Sequence, residues 1–69
     1  NALLPGITDT KFSAVMVQNE AFMKVVLPMI PMGRVGQPEE MAGAVLYLVS
    51  DAAAYTTGAC IIADGGMLA

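Results

Sequence analysis

Between Gln37 and Ser50 the apolar residues recur at three- and four-residue spacing, a pattern typical of a helix with one face against a larger body. Pro38 suits the first helical position, because its missing N–H has no helical partner there. The glutamates that follow it place negative charge in the first turn, where the helix dipole favours it. We therefore predict a helix over residues 37–50 that connects two strands of a parallel sheet. Its apolar stripe consists of Met41, Ala44, Val45, Leu48 and Val49.

Two short apolar runs predict the strands on either side of that helix. Residues 1–4 are followed by Pro5-Gly6 and resemble the end of a strand that enters a turn. Residues 59–63 form a continuous apolar run, as expected of a strand buried on both faces of a parallel sheet. Cys60 in this run is expected to be a small buried hydrophobic residue. Because two strands do not make a stable sheet alone, we expect further strands beside residues 1–4.

Residues 11–26 favour a single helix between these elements. Asp9 or Thr10 is positioned to cap it. Pro28 and Pro31 then end it, since neither ring fits a helix interior. Residues 25–32 are therefore expected to form a packed loop or a short helical turn. The residues on one face of the predicted helix are Phe12, Val15, Met16, Asn19, Met23 and Val26.

Composition limits the classes of protein to which the chain can belong. A chain of 69 residues with 57% hydrophobic and 13% charged residues is too apolar for a small freestanding domain, so we expect it to be part of something larger. A net charge of -3 argues against nucleic acid as a partner. With one Cys and no His, neither an internal disulfide nor a typical zinc site is expected.

The apolar span of residues 41–63 is roughly long enough to cross a bilayer, which raises the alternative of a membrane peptide. Ser50-Asp51 interrupts this span, and no Lys or Arg flanks it. We therefore expect no membrane association. The free Cys60 fits a reducing compartment, and a cytoplasmic location is expected.

Three separated blocks of sequence match one family pattern. They are Asn-Ala-Leu-Leu-Pro-Gly-Ile-Thr-Asp-Thr at residues 1–10, Gly-Arg-Val-Gly-Gln-Pro-Glu-Glu-Met-Ala at residues 33–42, and Ser50-Asp51 through Thr-Thr-Gly to Asp64-Gly65-Gly66. Each block alone is a weak signal, because Pro-Gly and Gly-Gly turns are common. In this order and spacing they resemble the C-terminal part of the classical short-chain dehydrogenase/reductases.

This resemblance implies an α/β fold, namely a C-terminal fragment of a Rossmann-type, doubly wound parallel sheet with the order strand, lid helices, helix, strand. Residues 1–10 would supply a strand end and the nicotinamide loop. Residues 11–32 would form the substrate lid, residues 37–50 the crossover helix and residues 59–63 the last strand. The implied reaction is hydride transfer between NAD or NADP and an alcohol or ketone, with the N-terminal remainder of the same enzyme as partner.

The resemblance also suggests site residues. In the family, the loop after the strand contacts the nicotinamide, so the cofactor-binding residues here would be Pro5, Gly6, Ile7, Thr8 and Thr10. The alternative is that Pro5-Gly6 is only a turn and Thr10 only a helix cap. In the lid, an apolar substrate pocket would be lined by Phe12, Val15, Met16 and Met23. Equally, these four side chains would simply pack on neighbouring helices or subunits.

No catalytic residue of the family is present. The family uses a Ser, together with a Tyr that has a Lys four residues later, whereas Tyr47 is followed at that distance by Asp51 and Tyr55 by Ala59. The chain alone is therefore expected to be inactive. Because the family's last strand commonly lies at a subunit interface, we expect a homo-oligomer, a dimer or a homotetramer. The alternative function is a non-catalytic oligomerisation or interaction piece.

Overall fold

Two short parallel strands form the centre of the structure, a computed structural model that describes residues 1–69. Strand β1 pairs with β2 in register from Ala2 opposite Cys60 to Pro5 opposite Ala63. The prediction that residues 1–4 and 59–63 lie side by side and run in the same direction is confirmed. In chain order the elements are β1 (Ala2–Pro5), α1 (Ala14–Val17), α2 (Glu20–Val26), a 3₁₀ helix (Leu27–Met29), α3 (Pro38–Val49), a second 3₁₀ helix (Asp51–Ala53) and β2 (Cys60–Ala63).

The Asn1 side chain begins the pairing of the two strands. Its Oδ1 accepts a hydrogen bond from the Ala59 N–H at 2.9 Å, and its Nδ2 donates to the Thr56 carbonyl at 3.0 Å. The Ala2 N–H adds a bond to the Ala59 carbonyl at 2.8 Å. A side-chain amide can pair with backbone as another peptide group would, so Asn1 extends the contact one residue beyond the strand.

Helix α3 connects the strands and lies against both of them. Met41, Ala44 and Leu48 are half-buried, at the spacing of one helical face. Val45 and Val49, which the sequence pattern includes in the same stripe, are 45% and 76% exposed. The apolar surface of α3 is therefore wider than the strip that two strands can cover.

The prediction of one helix over residues 11–26 is wrong, because the chain forms two short helices there. The break falls at Gln18 and Asn19, where the Asn19 side chain accepts a hydrogen bond from the Phe22 N–H at 3.1 Å. Asn competes with helical backbone bonds in a helix interior and is among the preferred N-cap residues. At this position the cap is formed instead of a continuous helix. Leu27–Met29 then form a short 3₁₀ helix, which tolerates Pro28 because a first-turn N–H has no helical partner.

Very little of this chain is buried. Only Val26, Ile30 and Ala53 are buried, and the accessible surface of 4998 Å² exceeds the roughly 4,100 Å² usual for a folded protein of this mass. The chain forms a slab of 43 × 25 × 15 Å. Its radius of gyration is 13.7 Å, against about 11 Å for a compact domain of this length. The slab has one sheet face against α3 and a second face with no layer on it.

This thin architecture corrects two expectations about residues 59–63. Cys60 is exposed rather than buried, and Ile62 is 51% exposed. A strand is buried on both faces only where a layer covers each side of the sheet, and the 69 residues supply one such layer.

We predict that Gly6→Ala destabilises the protein. The added Cβ would lie 2.6 Å from both Cα and Cβ of Asp64, closer than carbon atoms approach, so the two strand ends must separate. Overpacking of this kind costs about 1–3 kcal/mol, which urea unfolding followed by circular dichroism will measure.

Gly43→Ala is the matched control. An added Cβ there meets no atom within 4 Å, and Gly43 lies inside α3. Because Ala favours helix over Gly, this variant is expected to gain up to about 1 kcal/mol. Equal losses of stability in the two variants would contradict a specific contact at Gly6.

Candidate functional site

The loop that follows β1, residues 5–10 (the Pro-Gly loop), leaves the sheet at the carboxyl end of both strands. The Gly6 N–H donates to the Ala63 carbonyl at 2.9 Å, which extends the strand pairing by one bond. Gly6 then passes so close to the Asp64 backbone that no Cβ fits between them. Ligands of open parallel sheets bind beyond the carboxyl ends of the strands, so this is the edge at which a site is expected.

A second segment fixes the other side of the Pro-Gly loop. The Gly36 N–H donates to the Ile7 carbonyl and the Asp9 N–H to the Gly36 carbonyl, both at 2.9 Å, which makes a parallel bridge between Thr8 and Gly36. Gly36 precedes α3, so the helix and the loop hold each other in place. The loop is thus fixed by backbone contacts on two sides rather than by its own side chains.

The hydroxyl groups of the loop bond within it. Thr8 Oγ1 donates to the Gly6 carbonyl at 3.0 Å, and Ser13 Oγ donates to the Thr8 carbonyl. Thr10 Oγ1 accepts from the Ser13 N–H at 3.1 Å, while Ser13 Oγ accepts from the Thr10 N–H at 3.0 Å. This reciprocal arrangement is that of a capping box. It holds Thr10 across the turn that leads into α1, while the N-cap of α1 itself is Ser13.

Ser13 is a residue that sequence reasoning missed. It holds the Pro-Gly loop to the first helix through bonds to both Thr8 and Thr10. The signal for it was present, since a Thr followed three residues later by a Ser allows two hydroxyl groups to bond across one turn.

Two N–H groups of the loop lack an internal partner. Ile7 and Thr8 are half-buried, and neither N–H donates to any backbone or side-chain acceptor of the chain. These two adjacent donors are available to the oxygen of a ligand.

A cleft of about 200 Å³ opens beside the loop. Ile7 lines it, together with Met32, Met41 and the Asp64-Gly65 pair. Of the predicted cofactor residues, Ile7 therefore faces this cleft, while Pro5, Gly6, Thr8 and Thr10 lie outside its lining.

Arg34 and Glu40 close one side of this cleft with a bidentate ion pair. The two Nη–Oε distances are 2.8 and 2.9 Å, and Glu40 Oε1 also accepts the Gln37 N–H at 2.9 Å. The bond from Arg34, with that from Gln37, lowers the pKa of Glu40 to about 2. The same bond raises the pKa of Arg34. Arg34 thus has a structural role, since it joins the connector before α3 to a carboxylate in the first turn of that helix.

The structure does not gather the four predicted lid residues into one pocket. Phe12, in the turn before α1, is 100% exposed, and Val15 and Met16 on α1 are 82% and 47% exposed. Met23 instead lines a separate shallow groove on α2 with Leu27 and Pro28. Residues 11–32, the arm, therefore present apolar side chains that no other part of the chain covers.

The remaining polar side chains form no catalytic or metal-binding cluster. Tyr47 Oη bonds Thr56 Oγ1 at 2.7 Å, and Tyr55 is fully exposed with no hydrogen-bond partner. No three His, Cys, Asp or Glu side chains come together as metal ligands. The longest helix, α3, has 12 residues, and no helix in the structure has the length and apolar character needed to span a membrane.

Parallel strands, a helical crossover and a glycine-containing loop at the carboxyl edge define the class as Rossmann-type α/β proteins. A family model described as enoyl-(acyl carrier protein) reductase matches residues 1–68. The chain therefore belongs to this family, within the short-chain dehydrogenase/reductases, and the predicted family and fold class are confirmed.

The relatives support this assignment over nearly the whole chain. The chain is 46% identical over 66 residues to galactitol 2-dehydrogenase (L-tagatose-forming) of Cereibacter sphaeroides, covering 96% of this chain and 26% of that protein. It is 48% identical over 65 residues to 3alpha-hydroxysteroid dehydrogenase of Mediterraneibacter gnavus, covering 94% of this chain and 25% of that protein. An Agrobacterium tumefaciens structure with bound NADP matches with a TM-score of 0.95 at 41% identity, and the match covers 99% of this chain and 28% of that one. The chain spans about a quarter of the length of the relatives it matches.

We predict that Arg34→Met raises the pKa of Glu40 from about 2 toward its ordinary value of 4.5, because the principal hydrogen bond to its carboxylate is lost. In the folded protein the lowered pKa stabilises the start of α3 above pH 4.5, and this stabilisation is lost as the pH falls through about 2. Carbon-detected NMR titration of the Glu40 carboxyl group measures the shift directly.

Lys24→Met removes a cation on α2, which makes no contact with α3, and is the control for net charge. It is expected to leave the Glu40 titration unchanged. A Glu40 midpoint that stays near 2 in Arg34→Met would show that the ion pair is not the cause.

Proposed function

We propose that this chain is the C-terminal part of an NAD- or NADP-dependent oxidoreductase that transfers a hydride between the nicotinamide and an alcohol or ketone. The observation that carries the proposal is the pair of unpartnered N–H groups at Ile7 and Thr8, at the carboxyl end of a parallel strand. The named relatives are dehydrogenases and one solved structure holds NADP, which supports the same chemistry here.

In this proposal the Pro-Gly loop holds the nicotinamide side of the cofactor. Ile7 and Thr8 donate backbone hydrogen bonds to the carboxamide, and Gly6, which carries no side chain, lets the loop begin directly against Asp64. Pro5 restricts the entry to the loop, and Thr10 fixes its exit through Ser13. When bound, the cofactor supplies the hydride acceptor or donor. The chain's own residues orient the ring and contribute no acid or base.

The arm is the substrate lid in this proposal. Phe12, Val15, Met16 and Met23 expose apolar surface that an alcohol or ketone substrate, and the remainder of the enzyme, would cover. Flexible Met side chains suit a surface that packs against differently shaped ligands. The catalytic Ser, Tyr and Lys come from the N-terminal remainder of the same polypeptide, so the 69 residues alone are inactive. The exposed thiol of Cys60 suits a cytoplasmic location.

The complete protein is expected to reduce NAD or NADP with a secondary alcohol or polyol, and residues 1–69 alone are expected to give no turnover. Within the complete protein, we predict that Thr8→Pro weakens nucleotide binding by about three- to tenfold, because one backbone donor is lost. Isothermal titration calorimetry with NAD and NADP gives both the affinity and the preferred cofactor.

Thr8→Val is the matched control, since it removes the hydroxyl group and keeps the N–H. Its nucleotide affinity is expected to stay within about twofold of the unmodified protein, as Thr8 Oγ1 bonds only the Gly6 carbonyl. Equal affinity in Thr8→Pro and Thr8→Val would refute the backbone contact. A complete protein that binds neither nucleotide would refute the proposed function.

Exposed apolar side chains on α3 also favour an interface role for that helix. Val45, Leu46 and Val49 are 45, 68 and 76% exposed. We propose that this surface joins copies of the enzyme into a dimer or a homotetramer. Considered without the catalytic remainder, the same surface would make the chain a non-catalytic oligomerisation piece.

Leu46→Lys in the complete protein is predicted to convert the oligomer to a smaller species in multi-angle light scattering, because a buried unpaired charge opposes association. Thr57→Lys, which adds the same charge at an exposed position before β2, is the control and is expected to leave the assembly intact. An unchanged mass for Leu46→Lys would place the interface elsewhere.

A further inference from the structure

The arm is attached to the rest of the chain only through its two ends. Neither α1, α2 nor the first 3₁₀ helix makes contact with a strand or with α3. At the first end, Ser13 Oγ donates to the Thr8 carbonyl. At the second, residues 30–32 lie on the turn formed by residues 64–66, the Asp-Gly-Gly turn. These two attachments therefore set the position of the arm relative to the Pro-Gly loop.

The second attachment contains the most buried residue of the chain. Ile30 is 3% exposed, the lowest value of any residue, and the Met32 N–H donates to the Gly65 carbonyl at 3.1 Å. A Cβ on Gly65 would lie 2.7 Å from Ile30 Cγ2, and one on Gly66 would lie 2.9 Å from Pro31 Cγ. Both glycines also have positive φ, 68° and 95°. Neither position accommodates a side chain without displacing the end of the arm.

The same turn supports the Pro-Gly loop. Gly6 packs on the Asp64 backbone, and the Asp64 carboxylate holds the turn by accepting the Gly66 and Leu68 N–H groups at 2.9 and 3.0 Å. Open clefts lie on either side of the contact, and Met32 and Gly65 line both of them. One narrow turn thus touches the loop on one side and the arm on the other.

We propose that Gly65 and Gly66 are positioning residues that seat the end of the arm and so set its distance from the Pro-Gly loop. This inference rests on the proposed function for its catalytic consequence, because the arm is the lid over the substrate there. The two glycines act through Ile30 and Pro31 and touch no substrate. This contact of Gly65 and Gly66 with Ile30 and Pro31, the seat, aligns an alcohol or ketone bound under the arm with a nicotinamide held by the loop.

Gly65→Ala in the complete enzyme tests the seat. The Cβ pushes Ile30 away, so the amide groups of α1 and α2 are expected to exchange with deuterium faster. Misplacing the arm by about 1 Å is expected to raise the substrate KM roughly tenfold or more while nucleotide affinity stays within about twofold. A variant that merely loosened the fold would weaken both ligands together.

Gly58→Ala is the matched control for backbone strain. Gly58 has the same φ of 68° as Gly65, but an added Cβ meets nothing within 4 Å. Gly58→Ala therefore carries the same left-handed strain and is expected to lower the Tm while leaving arm exchange and substrate KM unchanged. Equal effects of Gly58→Ala and Gly65→Ala on exchange and KM would overturn the seat.

Ile30→Ala removes the contact from the side of the arm without backbone strain and serves if Gly65→Ala fails to fold. Ile30→Ala is expected to raise deuterium exchange in the arm as Gly65→Ala does. Exchange in the double variant is expected to equal that in Ile30→Ala, because the clash between the added Cβ and the Ile30 side chain is then absent. Unchanged arm exchange in Ile30→Ala overturns the seat. Raised exchange in an enzyme without NAD(P)-dependent turnover supports the seat and overturns the proposed function instead.

Discussion

The close approach of Gly6 to Asp64 at the ends of the two parallel strands is the constraint on which the rest of the structure depends. The strands are joined by more than fifty residues, so their pairing brings together segments that are distant in sequence. At this point the Gly6 N–H bonds the Ala63 carbonyl, and the chain on each side turns away from the sheet. The Pro-Gly loop and the Asp-Gly-Gly turn therefore begin in contact. The absence of a side chain at Gly6 permits that proximity, whereas Gly65 and Gly66 carry no side chain because Ile30 and Pro31 lie against them.

The slab also explains why so apolar a chain has so few buried residues. Helix α3 covers one face of the two strands, and no layer covers the other. Hydrophobic stabilisation is proportional to the apolar area removed from water, so a chain with three buried residues gains little of it. The proposed arrangement accounts for this surface. In that arrangement the rest of a Rossmann-type sheet would cover the β1 side. Substrate would cover the arm, and a second copy of the enzyme would cover the exposed face of α3.

Backbone rather than side chains supplies the proposed chemistry of the site. The hydroxyl groups of Thr8 and Thr10 bond within the loop and to Ser13, whereas the N–H groups of Ile7 and Thr8 have no partner. A loop whose side chains bond internally is held rigid and leaves its backbone donors free for a ligand. In the proposed site the backbone donors at Ile7 and Thr8, rather than the Thr8 side chain, would contact the ligand.

Sequence alone determined the strands, helix α3 and the family. Apolar runs ended by Pro-Gly and Gly-Gly report strands, the three- and four-residue spacing reports a helix, and both signals are local. Tertiary structure alone decided the features that depend on competing local conformations or on contacts between residues far apart in the chain. At Asn19 the chain forms a capping bond instead of a continuous helix. The cap contributes only about 1 kcal/mol, and the spacing of the apolar residues does not indicate it. Cys60 is exposed because burial of an apolar strand requires a second layer, which no run of residues reveals. The packing of Ile30 on Gly65 joins residues far apart in sequence, so it exists only once the strands have paired.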